Sequence, residues 1–140
     1  MTINKGFIAS SLLFLVSVAV TLVSTTALSA PKPMSDLPKD VVQYSQVPKQ
    51  GSFKAETIPK GLLKAHSTKK GTWGIIRVDC GSLEYQINEP TVRKFVLVAP
   101  AAGVIEPRVL HQVKPLSDDL QFVVEFYRLP NTGPVHEKRE

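Results

Sequence analysis

The chain has 140 residues, which leaves room for one domain. Lys and Arg outnumber Asp and Glu by 17 to 12, but the basic residues are scattered among the acids, so the clustered patch of a nucleic-acid-binding protein is missing. Cys80 is the single cysteine, which excludes an internal disulfide and a cysteine-based zinc site.

Residues 1–29 have the layout of a secretory signal peptide. Lys5 stands near the start, Leu12 to Val23 is apolar, and Ala27-Leu28-Ser29 supplies the small-x-small site, so that the mature chain begins at Ala30. The alternative is an uncleaved anchor, because no charge occurs from Phe7 to Ala30; against it, Ser and Thr break up the apolar stretch that a bilayer span needs. Either way the domain is expected to be exported, to the periplasm in a bacterium, and to meet a membrane only through an uncleaved leader.

Pro31, Pro33, Pro38, Pro48 and Pro59 forbid long helices in the next segment. Residues 30–43 read as a linker, an extended arm over 41–60 is expected to lie against the domain, and the domain itself is bounded at 44–130. From Leu62 onward, "LLKAH", "TWGIIRVD", "SLEYQIN", "VRKFVLV", "RVLHQV" and "LQFVVEFYR" are short runs rich in β-branched and aromatic residues. Turn signals separate them: "KKG", "DCGS", "NEP", "APAAG" and "KPLSDD". Such spacing predicts an all-β sandwich or barrel, of a size suited to a small jelly roll. Residues 131–140 are polar, unpatterned and expected to be a disordered tail.

His136 falls in that tail. His66 ends the first run and His111 lies within another, where an inward position would face either a filled core or a ligand cavity. Glu125 interrupts an apolar run, and an unpaired carboxylate there is costly to bury. Alternation puts Phe122, Val124 and Phe126 on one face and Gln121, Val123, Glu125 and Tyr127 on the other, which is the polar face and the one expected to line a cavity. Two histidines with an acid would suit zinc, copper, iron or nickel, and Glu84 and Glu106 are the other acid candidates. The plainer reading has His111 as a hydrogen-bonded structural residue and Glu125 facing solvent or paired with Arg77 or Arg128. "HSTKKGTWG" is equally open, as an oxyanion loop or a solvated one. No P-loop, dinucleotide fingerprint or nucleophile elbow is present.

The run "IPKGLLKAHSTKKGTWGIIRVDCGSLEYQI" followed by "IEPRVLHQVKPLSDDLQFVVEFYR" resembles the TehB/YeaR-like domain, over roughly Tyr44 to Pro130. The resemblance implies a cupin-like double-stranded β-helix, and a zinc or similar divalent metal held by His66, His111 and Glu125. The His-x-His pair of metal cupins is absent, since residue 64 is Lys and residue 68 is Thr. Because the likeness is confined to this small domain of some tellurite-resistance methyltransferases, methyl transfer is not carried over. Two functional classes follow. One is a metal-dependent protein, enzyme or binder, that handles a small polar molecule or oxyanion under tellurite or nitrosative stress, with Thr68, Lys70 and Arg77 neutralising the anion. The other is a metal-free, non-catalytic barrel that binds an organic ligand or a protein partner. A homodimer is left open.

Overall fold

The computed structural model describes residues 34–132. The expected leader, the start of the linker, and the tail beyond Thr132 with His136 lie outside the described residues.

Eight strands and no helix occur among the described residues: β1 (Val42–Val47), β2 (Phe53–Lys54), β3 (Trp73–Cys80), β4 (Ser82–Ile87), β5 (Arg93–Val98), β6 (Ala101–Ile105), β7 (His111–Pro115) and β8 (Gln121–Arg128). The expected all-β class is therefore observed. One antiparallel sheet runs β1-β8-β3-β6, with β2 also paired to β8, and a second runs β5-β4-β7. The period-2 alternation of the sequence determines how they face each other. In β3, Gly74, Ile76 and Val78 are buried while Arg77 and Asp79 are exposed. In β4, Leu83, Tyr85 and Ile87 are buried.

These inward rows form one apolar core, Ile76, Val78, Phe122 and Val124 from the larger sheet against Leu83, Tyr85, Ile87, Leu97 and Val113 from the smaller. Each such side chain contributes roughly 1.5–3 kcal/mol when fully buried, so this layer is the principal force holding the sheets together. Tyr85 adds a polar tie across the gap, its hydroxyl donating to the Val104 carbonyl at 3.0 Å.

Three local expectations change. "LLKAH" forms turns rather than a strand, with the Leu62 amide folding back to the Pro59 carbonyl at 2.9 Å. It follows β7 by isolated bonds only: the Val113 amide to the Leu62 carbonyl, and a reciprocal bridge between His66 and His111. "APAAG" is no mere turn, because Ala101–Ile105 is strand β6, paired along β3. Small residues are needed there: a Cβ on Gly103 would lie 2.9 Å from Leu97 Cδ1 and 3.2 Å from Tyr85 Cδ1. Finally, part of the linker is ordered against the edge of β6, where Met34 Sδ accepts from the Val104 amide at 3.0 Å and Ser35 bonds the Glu106 carboxylate.

Candidate functional site

A cavity of about 420 Å³ opens between the sheets, within the size range of small-molecule sites. Its walls come from the inner faces of β3, β6, β7 and β8, including Ile76, Ile105, Val113, Phe122, Val124 and Phe126. The loop from His66 to Thr72 and the edge strand β1, through Tyr44 and Ser45, complete the lining.

His66 and His111 lie side by side in this wall, ring centroids 4.2 Å apart, because their backbones are bridged to each other. His66 Nδ1 is 2.9 Å from the Lys64 carbonyl oxygen, and His111 Nδ1 is 2.8 Å from that of Val109. A carbonyl only accepts, so Nδ1 carries a proton in both rings. His111 is 1% exposed. Burial pushes its pKa down to about 4, against the opposing effect of the Val109 bond and with a smaller contribution from neighbouring His66. It is thus a neutral hydrogen-bond acceptor at pH 7 and presents no positive charge to an anion. Tyr85 packs edge-on against it at 6.0 Å, and burial likewise raises the phenol's pKa well above its ordinary value.

Glu125 does not join the histidines. The strand parity read from the sequence holds, but the cavity lies on the Phe122–Val124–Phe126 face, which leaves Glu125 on the outer face of β8, beside Ile75 of β3. There it accepts from Arg77 Nε at 3.0 Å, Arg77 Nη2 at 2.8 Å and the Tyr127 hydroxyl at 2.8 Å. The Arg77 hydrogen bonds hold its carboxyl below the usual range, with partial burial opposing them. The expected zinc or other divalent metal on His66, His111 and Glu125 is corrected on this ground. Among the described residues no group of three or more His, Cys, Asp or Glu side chains comes together to hold an ion.

The other expected ligand contacts separate in the same way. Arg77 is committed to Glu125 on the outer face. Lys70 is exposed and outside the cavity lining, where Lys69 stands instead. Thr68 does line the cavity, but its hydroxyl donates to the Thr72 carbonyl at 2.7 Å and so shapes the loop. The sequence reading missed Tyr44, Lys69 and the phenylalanine wall. The phenylalanines were findable, since buried aromatic residues alternating with a buried valine mark the inward face as well as a polar residue marks the outward one.

Comparison with known proteins supplies the remaining constraint. The family model of the TehB-like domain matches residues 49–124. A relative from Haemophilus influenzae, "Probable S-adenosyl-L-methionine-dependent methyltransferase TehB", is 32% identical over 92 residues, which is 63% of this chain and 31% of that protein. A second strain's protein of the same name is 30% identical over 93 residues, again 63% of this chain and 31% of the relative. The chain thus spans about a third of the length of these relatives. The crystal structure of TehB from Haemophilus influenzae superposes with a TM-score of 0.58 and 27% identity, covering 65% of this chain and 32% of that one. An Escherichia coli protein of known structure shares the fold, with a TM-score of 0.61 and 20% identity over 69% of this chain and 99% of its own. The relatives are named for an activity that uses S-adenosyl-L-methionine rather than zinc. With the dispersal of the supposed metal ligands, this overturns the expected metal-binding, oxyanion-handling function.

Proposed function

Because the chain belongs to the TehB-like domain family, we propose that it serves an S-adenosyl-L-methionine-dependent methylation as the small-molecule-binding β-domain, with methyl transfer seated outside this pocket. One observation carries the reading: an open-mouthed, mainly apolar cavity between the sheets whose buried polar group is the neutral imidazole of His111. A small, largely apolar molecule with a hydrogen-bond donor matches those walls.

When bound, S-adenosyl-L-methionine supplies an electrophilic methyl group on a sulfonium cation. The cavity does not fit that cofactor. None of its lining residues is Asp or Glu, and Lys69 is the one Lys or Arg among them. A sulfonium, an amino group and a ribose diol would all go without an acidic partner there. His111 orients a donor on the ligand through Nε2, and the apolar walls exclude water from it.

We also propose that the two facing sheets are a cupin-like double-stranded β-helix, a reading supported by the β5–β6 connection that passes from one sheet to the other. Export by the 1–29 leader is likewise our proposal, checked by whether the mature protein recovered from cells starts at Ala30. The central test is nuclear magnetic resonance titration of the purified chain. Neutral organic molecules are expected to shift the amides of His111, Val113 and Val124, and S-adenosyl-L-methionine to leave them in place. Tight binding of S-adenosyl-L-methionine in this cavity would overturn the proposal.

A further inference from the structure

Resting on that reading of the cavity, we propose that Tyr44 is its specificity-determining residue and that the ligand is an uncharged planar ring carrying a hydroxyl or N–H donor. Three independent features of the site converge on this class.

The first is the backbone at the mouth. β1 is an edge strand paired to β8, and its register slips between Gln43 and Ser45: Gln43 faces Tyr127 and Ser45 faces Phe126. Tyr44 is the extra residue of a β-bulge, a device that turns a side chain out of the regular alternation. Its ring contributes to the cavity lining although the residue remains 44% exposed, as expected of a group standing at an entrance.

The second is what holds that ring. The Arg128 guanidinium carbon lies 4.4 Å from its centroid, and Arg128 is outside the cavity lining. One face of the ring is therefore already taken by a cation. A cation on one face draws electron density from the other, so the remaining face is a poor seat for a second cation and a good one for a neutral ring.

The third is the interior. Five of the fifteen lining residues are aromatic: Tyr44, His66, His111, Phe122 and Phe126. Flat walls favour a flat occupant, because stacked and edge-on contacts add to area burial. The absence of Asp and Glu from the lining leaves a cationic ligand uncompensated, and His111 offers an acceptor where a donor would be satisfied. Size agrees: a cavity of about 150 Å³ holds benzene, so 420 Å³ admits one or two fused rings with a short substituent.

The experiment titrates the purified chain with four probes, followed by amide resonances around His111: phenol, cyclohexanol (a weaker hydroxyl donor, not planar), anisole (planar, no donor) and phenyltrimethylammonium (planar, cationic). Phenol is expected to bind at least about tenfold more tightly than each of the others. Tyr44→Ala is expected to bring phenol down to the level of cyclohexanol, Tyr44→Phe to keep the preference, and Arg128→Gln to improve phenyltrimethylammonium selectively. Cyclohexanol binding as well as phenol, or an undiminished phenol preference in Tyr44→Ala, would overturn the assignment of Tyr44 while leaving the cavity a binding site. If none of the four probes moves those amides, the cavity reading itself falls, and this inference with it.

Discussion

His111 is the residue through which the fold and the proposed function are coupled. Its ring is buried, neutral and fixed by the Val109 carbonyl, so the unfolded chain takes up a proton more readily than the folded one. A depressed native pKa means that the stability is fully present above the unfolded value near 6.5 and is lost as pH falls toward the folded value of about 4. Across that window the loss should approach about 3 kcal/mol. Urea unfolding between pH 7 and pH 4 should show it, and His111→Leu should flatten the curve there. Glu125, whose carboxyl is also held low by Arg77, adds a loss of the same sign, but at more acidic pH. Being an outer-face pair with Arg77 side-chain exposure of 47%, it should matter little at pH 7. Glu125→Gln is expected to change stability by less than about 1 kcal/mol and to leave probe binding in the cavity untouched. A large loss of binding would restore Glu125 to the site.

At the scale of elements, two glycines decide how the sheets connect. Gly81, between β3 and β4, has φ +69°, and a Cβ there would lie 2.8 Å from the Leu120 Cα and closer still to the Ser117 and Asp119 side chains. Gly81→Ala should therefore cost at least about 2 kcal/mol, from left-handed strain together with a clash against backbone. In Gly103→Ala the contacts are side-chain ends, on Leu97 and Tyr85, and about 1–3 kcal/mol is expected from overpacking. Denaturant midpoints would order the two. The same elements show what the sequence made legible. β3, β4 and β5 alternate in the sequence, and that alternation survives as alternating burial, whereas in β8 Phe122, Val123 and Val124 are buried in succession. β6 was hidden because Ala, Ala and Gly are weak strand formers, chosen for close packing rather than propensity. "LLKAH" misled in the opposite sense: Leu62 is apolar because it packs on the core from a turn. For the site, the two histidines were legible as inward-facing residues, whereas the place of Glu125 depended on which face of β8 encloses the cavity, and parity alone leaves that sign undetermined. Tyr44 gave no signal, since a bulge breaks the period from which such positions are read.

At the scale of the whole molecule, the cavity marks a region where the two sheets face each other without filling the space between them. A fully packed sandwich would gain dispersion contacts there, so on the proposed reading the pocket is a stability deficit tolerated for binding. Val124 is 3% exposed and lines the cavity from the larger sheet, which makes it the place to exchange one property for the other. Val124→Phe should fill part of the space and raise stability by about 1 kcal/mol, as cavity-filling changes commonly do. The urea midpoint should rise with an unchanged slope, since the surface exposed on unfolding is nearly the same. Phenol should then bind at least about tenfold more weakly than to the parent, although Tyr44, His66 and His111 are all retained. A variant that gained stability and kept full phenol affinity would move the binding site out of the space between the sheets. One that lost stability would show that the cavity walls are already close-packed around Val124.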